Sequence, residues 1–262
     1  MKRVGALKKR FGQHFLRDPG VAARIADACA LVDGDRTVEI GPGAGALTCH
    51  LLTRFPHLDL VEIDRDLIAG LQDRFQADPV TVHEADALRL PFCRALPGRL
   101  RVVGNLPYNI SSPLIFHLLA QDCVAGMVFL LQKEVVDRLA SPPGSGDYGR
   151  LSVMVQARCE VTALFTVPAQ AFHPPPAVES RLVALRPVAP RVPLAVQPTF
   201  STLVAEAFSH RRKMLRHSLR GHFGPQDWER LGLDATRRPE TLTVDEFAAL
   251  ARYAHGQVES SP

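Results

Sequence analysis

Apolar residues fall at helical spacing early in the chain, where Val21, Ile25, Ala28 and Leu31 share a face. Asp18 precedes them as a cap and Pro19 opens the helix. The period then changes. Residues 36–40 form a short β-type run that ends at glycines, 47–54 read as a helix and 58–63 as a strand. Residues 64–75 are helical, with Leu67, Leu71 and Phe75 on one face. A brief strand at 80–83 and another at 100–103 follow, the latter ending at Gly104-Asn105. Residues 114–119 are helical, 125–131 a buried strand and 133–140 a helix again. This alternation over 36–140 predicts an α/β fold with a parallel, doubly wound sheet. A Pro/Gly loop at 141–149 interrupts it. A helix at 150–158 comes next, then two late strands at 161–167 and 182–185, a candidate hairpin on the sheet edge.

The pattern shifts again at Pro187. Pro187, Pro190, Pro193 and Pro198 crowd one short stretch, which reads as a linker over 188–198. Beyond it 199–220, 225–232 and 243–255 look helical, a small second domain over 199–262. The first domain is expected to span 1–187, with 1–17 as a basic arm. A chain of 262 residues has room for that division. Its 46% hydrophobic and 22% charged residues exclude a disordered or coiled-coil chain. The longest apolar run, Cys123 to Leu131, is nine residues, and a bilayer span needs about 20. No membrane partner and no signal peptide are expected, so the reading is a cytoplasmic protein. Five cysteines at wide, irregular spacing with no CxxC pair fit neither a zinc site nor a disulfide framework, and most read as small core residues.

Charge changes the picture more than composition does. Residues 1–17 hold six basic side chains and no acid, and 209–220 hold five and no acid. With a net charge of +4 on the whole chain, everything outside these two segments is acidic, at −7. A mildly acidic body with two basic segments points to an anionic partner for the segments.

Candidate chemistry begins at Val38-Glu39-Ile40-Gly41-Pro42-Gly43-Ala44-Gly45-Ala46, a strand, a glycine turn and a helix start. Glycines there let backbone approach a ligand. Glu62 ends the next strand, at the place where an acid takes a ribose hydroxyl pair. Gly41, Gly43 and Ala46 also satisfy the dinucleotide pattern GxGxxG/A. Pro42, however, removes one of the N–H groups a pyrophosphate needs, and Glu39 would repel that anion. S-adenosylmethionine has no phosphate and carries a sulfonium and an ammonium, so the pattern favours it. Asp86 follows the third strand, where it would accept from an adenine amino group or cap a helix.

Asn105-Leu106-Pro107-Tyr108 follows the fourth strand, at the sheet edge where ligands sit. The exocyclic amine of adenine is a poor nucleophile because its lone pair is delocalised into the ring. Acceptors on its N–H groups, from the Asn105 side chain and the Leu106 carbonyl, would turn the lone pair toward a methyl group. Pro107 fixes the turn, and Tyr108 offers a stacking face.

These motifs resemble the ribosomal RNA small-subunit adenine dimethyltransferase family over nearly the whole chain. The resemblance rests on Phe11 to Leu16, Glu39 to Gly45, Glu62-Ile63-Asp64, Asp86, Asn105 to Ser111, and Phe172-His173-Pro174 with Pro176 and Val178. Phe208-Ser209 and Arg211-Arg212-Lys213 with Leu215 add to it. It implies a Rossmann-like class I S-adenosylmethionine-dependent methyltransferase sheet with a small C-terminal helical domain. It further implies that His14 and Leu16 close over the cofactor, that Gly41 and Gly43 lie against it, and that Glu62 holds the ribose and Asp86 the adenine. Asn105 would touch both cofactor and target amine, and Tyr108 and Phe172 would sandwich the target adenine. Many relatives carry Asn where this chain has His14.

The implied substrate is a pair of adjacent adenines in a hairpin loop near the 3′ end of small-subunit (16S) rRNA. Each would receive two methyl groups, within a pre-30S subunit and by a monomer. Lys8, Lys9 and Arg10, with Arg211, Arg212, Lys213 and Arg216, would hold RNA phosphates. No general base is expected, and no His or carboxylate is expected beside Asn105 to Tyr108. Three other readings stand against this one: a large-subunit rRNA methyltransferase of the antibiotic-resistance type, a dinucleotide-dependent oxidoreductase, and a non-catalytic ribosome assembly factor on the same fold.

Overall fold

The structure is a computed structural model and describes residues 14–259. The chain divides into two compact units. The first holds Val161–Pro187 and the described residues up to Val136; the second holds Asp137–Glu160 and the described residues from Val188 onward.

The first unit opens on a two-residue strand, β1 (Phe15–Leu16), and helix α1 (Pro19–Ala28). Asp18 caps α1 as its sequence suggests, its Oδ1 accepting from the N–H groups of Gly20 at 2.9 Å and Val21 at 3.1 Å. Strand and helix then alternate through β2 (Arg36–Ile40), α2 (Ala46–Leu51), β3 (Leu58–Glu62), α3 (Arg65–Arg74) and β4 (Val80–Glu84). After these come α4 (Phe92–Ala95), β5 (Leu100–Asn105), α5 (Ser111–Leu119), β6 (Val124–Gln132) and α6 (Lys133–Ala140). Past α7 (Arg150–Gln156), strands β7 (Cys159–Val167), β8 (Phe172–His173) and β9 (Ser180–Pro187) complete the set.

The main sheet runs β4-β3-β2-β5-β6-β9-β7. Its first five strands are parallel, and β9 joins β6 antiparallel. The parallel sheet predicted from the pattern is therefore present, with the late strands added beyond β6. Both faces are covered, so Val38, Leu60, Val102, Val103 and Met127 to Leu131 are all buried. Chain order reverses between β2 and β5, and a sheet of this kind binds ligands at the carboxyl ends of the strands beside that switch. Among the buried carboxylates of the sheet, Asp59 on β3 is wholly buried and bonded to Arg36 on β2 and to His83 on β4 at 2.7 Å. Burial pushes its carboxyl up, but its bonds to Arg36 and His83 win and hold it below the usual range.

The second unit contains α8 (Gln197–Ser209), α9 (Leu215–Ser218), α10 (Pro225–Leu231) and α11 (Val244–Glu259). Its core gathers Phe200, Leu203, Val204, Leu215, Leu219, Trp228, Phe247 and Leu250. No described helix is long and apolar enough to cross a membrane.

Several expectations are corrected. Residues 141–158, read as part of the first domain, belong to the second unit, where Tyr148 and Val153 enter its core. The stretch 188–198 is not a bare linker, because Val192 and Val196 are buried in that same core. The expected helix over 199–220 ends at Ser209 and resumes only at α9, whose first N–H groups, those of Leu215 and Arg216, go to the carbonyls of Arg237 and Ala235. Cys93 and Cys123 form a disulfide with Cα atoms 5.4 Å apart, whereas Cys29 and Cys159 are the buried core residues expected.

Gly104 ties the sheet to the site. A Cβ there would come within 2.6 Å of the Ile40 carbonyl oxygen, so β5 approaches the end of β2 only because residue 104 has no side chain. Gly104→Ala is expected to lower unfolding free energy by about 1–3 kcal/mol. Denaturant titration checks this, and an unchanged midpoint would show that the two strand ends can separate freely.

Candidate active site

After β2 the chain turns through Gly41-Pro42-Gly43-Ala44-Gly45 into α2. Gly41 and Gly43 have φ of +65° and +59°, a region that favours glycine. A Cβ on Gly41 would meet no protein atom within 4 Å, whereas one on Gly43 would lie 2.8 Å from the Phe15 ring. The first glycine thus leaves room for a ligand, and the second lets β1 pack on the turn.

The turn is one wall of a cavity of about 350 Å³. Its other walls come from the carboxyl ends of β3, β4 and β5 and the residues after them, and from 14–16. His14, Leu16, Gly41, Gly43, Glu62, Asp86 and Asn105, the seven residues expected at a cofactor, all line it, as do Leu106, Pro107 and Tyr108. Among the described residues the lining includes three carboxylates, Glu39, Glu62 and Asp86, and no lysine or arginine.

Each carboxylate is held differently. Glu39 is 1% exposed. Thr48 Oγ1 donates to its Oε2 at 2.6 Å. Burial pushes the Glu39 carboxyl up to about 7, against the opposing pull of the Thr48 bond. Glu62 Oε1 accepts from the N–H groups of Ile63 and Asp64, both at 2.9 Å, and the Gly43 N–H adds a third bond to the carboxylate. Burial still leaves its pKa above the ordinary value. Asp86 Oδ1 accepts from the Leu88 N–H at 2.9 Å, and Arg89 Nε lies 3.6 Å from Oδ2. Both readings of Asp86 hold together here: it closes a turn and it faces the cavity.

Asn105 Nδ2 donates to the backbone carbonyl of His14 at 2.9 Å. That bond orients the amide, because the nitrogen faces His14 and Oδ1 is the other end of the group. The His14 Nδ1 donates to the Pro174 carbonyl at 2.8 Å, and its ring lies 5.7 Å from that of Tyr108, tilted by 31°. A histidine therefore does stand beside Tyr108, contrary to the sequence expectation. Chain distance hid it, since the two rings are 94 positions apart.

Phe172 is the main disagreement. It is 2% exposed, packs in the core of the first unit and does not line the cavity. Strand β8 pairs antiparallel with β1, Leu16 opposite Phe172 and Phe15 opposite His173. Alternate residues of a strand face opposite ways, so the pairing that exposes His173 turns Phe172 inward. Phe172 offers no face to a base in this arrangement.

The expected phosphate contacts divide as well. Lys8, Lys9 and Arg10, like most of the basic arm, lie outside the described residues. In the second unit Arg211 is engaged internally, by Glu240 Oε2 at 2.8 Å and the Gly146 carbonyl at 2.6 Å, and so is not a phosphate ligand here. Arg212, Lys213 and Arg216 are exposed on the turn and the short α9. Sequence reasoning missed Thr48 and Ser180. Their types carry no signal of their own: Thr48 lies within α2 and Ser180 at the start of β9.

Comparison with known proteins agrees with this geometry. A family model described as ribosomal RNA adenine dimethylase matches residues 5–255. The ribosomal RNA small subunit methyltransferase A of Alcanivorax borkumensis is 50% identical, covering 93% of this chain and 89% of that protein. The protein of the same name from Bordetella pertussis is 52% identical, over 93% and 92%. Among solved structures, a dimethyladenosine transferase from Plasmodium falciparum superposes with a TM-score of 0.75 at 26% identity, covering 90% of this chain and 96% of that one. The 23S rRNA methyltransferase ErmE gives 0.72 at 25%, over 91% and 98%.

The buried Glu39–Thr48 pair makes a measurable claim. Glu39 is expected to titrate near pH 7 in the ligand-free chain, and Thr48→Val, which removes the bond favouring the anion, to raise that value further. Carbon-detected NMR of the Glu39 carboxyl follows both. A midpoint in the ordinary glutamate range would mean that water reaches the group.

Proposed function

Because this chain belongs to the ribosomal RNA adenine dimethylase family, we propose that it dimethylates N6 of two adjacent adenines in a hairpin loop near the 3′ end of small-subunit (16S) rRNA, using S-adenosylmethionine. The observation that carries this reading is one cavity lined both by three carboxylates, with no lysine or arginine among the described residues, and by Asn105-Leu106-Pro107-Tyr108.

The residues present suit that cofactor. A sulfonium and an ammonium are attracted by Glu39, Glu62 and Asp86, whereas a pyrophosphate would meet three anions and a proline without an N–H. This counts against the oxidoreductase reading. Glu62, fixed through backbone N–H groups, keeps acceptor capacity for ribose hydroxyls. Asp86 suits the adenine amine, and the open side of Gly41 suits the methionine portion.

When bound, the cofactor supplies an electrophilic methyl: its C–S bond breaks as the N6–C bond forms, sulfur leaves as a neutral thioether, and the amine proton passes to water. The chain's part is to seat and orient the base. Asn105, its Nδ2 bonded to His14, is left with Oδ1 to accept from the target amine. Leu106, whose N–H goes to the Leu130 carbonyl at 3.3 Å, supplies its own carbonyl as the second acceptor. Together they draw the amine toward sp³ geometry. Tyr108 carries the base, which must leave its stack to arrive. For the second methylation the monomethylated amine rotates, and its one remaining N–H is taken by one of the two acceptors.

Arg212, Lys213 and Arg216 of the second unit are suited to RNA phosphates. A pre-30S subunit in the cytoplasm, met by a monomer, completes the proposal. The curated relatives at 50% and 52% identity carry small-subunit names, which favours this reading over the large-subunit one suggested by the more distant ErmE likeness.

Incubation with unmethylated small subunits and labelled S-adenosylmethionine, followed by nucleotide mapping, tests the assignment. Dimethyladenosine at two adjacent positions is expected; small-subunit RNA left unlabelled, with label in large-subunit RNA when large subunits are supplied in parallel, would reverse it. Asn105→Ala is expected to reduce transfer by about 100-fold or more while calorimetry still detects cofactor binding; near-normal turnover would remove Asn105 from the mechanism. Replacing Arg212, Lys213 and Arg216 by Gln is expected to weaken RNA binding. It should also flatten the log–log salt dependence by about 2–3, with cofactor affinity unchanged. An unaltered slope would make these side chains a solvated surface only.

A further inference from the structure

We infer that Ser180 is a positioning residue that fixes where the Tyr108 ring stands, and through it the seating of the target adenine. The inference rests on the functional reading above and extends it to a residue outside the cavity lining.

Ser180 opens β9, opposite Gln132 at the end of β6. It is 1% exposed. A hydroxyl so buried needs a partner, and Ser180 Oγ lies 3.1 Å from the Tyr108 hydroxyl. Tyr108 itself is half-buried. Burial pushes its hydroxyl above the ordinary range, so the group stays protonated and can bond in either direction.

Tyr108 is anchored at its other end too. Ser111 Oγ donates to the Tyr108 carbonyl at 3.1 Å, and Pro107 restricts the turn before it. Backbone anchors leave the two side-chain torsions free. A bond at the far tip of the ring removes the swing about Cα–Cβ, because the ring is then held at Cα and at Oη; rotation about the ring's own axis leaves Oη in place. The His14 ring, tied to Pro174, lies against Tyr108 as well. The Pro-rich segment 174–180 thus supplies two supports: the Pro174 carbonyl for His14 and the Ser180 hydroxyl for Tyr108.

The chemistry gives this support a particular readout. Each adenine must be held through two transfers, with rotation of the monomethylated amine between them. A ring free to swing would lower the chance that the base stays seated for the second transfer. Loss of the Ser180 bond should therefore appear in the ratio of mono- to dimethylated adenine and in kcat, with little change in cofactor affinity.

Ser180→Ala, Tyr108→Phe, the double variant and Ser180→Thr test the inference in the full chain. The two single variants delete one bond from opposite ends. Each is expected to slow transfer by about threefold to tenfold, the equivalent of one neutral hydrogen bond, and to raise the monomethyl fraction. The double variant should match the singles, because all three lack the same bond. Ser180→Thr, which keeps a hydroxyl, should recover most of the loss. Fluorine NMR of 3-fluorotyrosine protein, with the Tyr108 line assigned through Tyr108→Phe, reads the coupling without any methyl transfer. Ser180→Ala should shift that line. An unmoved line, an unchanged product ratio, or additive losses in the double variant would overturn the role of Ser180. A wild-type chain that leaves adenine unmethylated while the line still moves would overturn the functional reading and not the coupling.

Discussion

Three carboxylates facing one cavity, with no lysine or arginine among its described lining residues, are the constraint on which the rest of the site depends. A buried anion without a cation must be neutralised or given donors. Glu39 is driven toward the neutral acid and takes the Thr48 hydroxyl. Glu62 collects backbone N–H groups from Ile63, Asp64 and Gly43. Asp86 keeps more solvent and one N–H. The Gly43 bond links this electrostatics to the backbone. The residue that donates to Glu62 has positive φ and no Cβ because the Phe15 ring fills that space. Turn, carboxylate and N-terminal strand are one construction.

The walls of the cavity were legible because long-range packing merely gathers what local pattern already marks. Strands β2 to β5 are apolar runs closed by a change of residue type, and a parallel sheet collects its strand ends on one edge. Glu62, Asp86 and Asn105 could thus be placed together from spacing alone. Strands β1 and β8 were not legible. They have two residues each, too few for a period, and they pair across more than 150 positions. The misreading of Phe172 follows. An aromatic in a Pro-rich loop looks exposed until the β1 pairing fixes which way it faces. The proximity of His14 to Tyr108 was hidden for the same reason, since β1 brings it there.

The break after Ser209 was illegible for a different cause. Leu215 and Leu219 continue the helical spacing of α8, so periodicity runs through a point where the backbone does not. The helix restarts at Leu215, where the carbonyls of Arg237 and Ala235 take the first N–H groups of α9, a tertiary contact that no local pattern announces. Arg211 shows the same limit for charge. In a run of basic residues it looks like its neighbours, yet Glu240, 29 positions later, takes it. A charge cluster read from sequence states how many cations are present, not how many are available.

The net charge of +4 is for this reason a poor guide to either ligand. It sums an anionic cavity in one unit and exposed cations in the other, and the two demands are chemically opposed. A lysine or arginine within the cavity would pair with Glu39 or Glu62 and repel a sulfonium, while a carboxylate among Arg212, Lys213 and Arg216 would repel RNA phosphate. A chain that uses a cationic methyl donor on a polyanionic substrate is held to separate its charges. Among the described residues the cavity meets that demand by admitting no lysine or arginine, and the turn after α8 and the start of α9 meet it by placing Arg212, Lys213 and Arg216 in solvent while Arg211 pairs with Glu240.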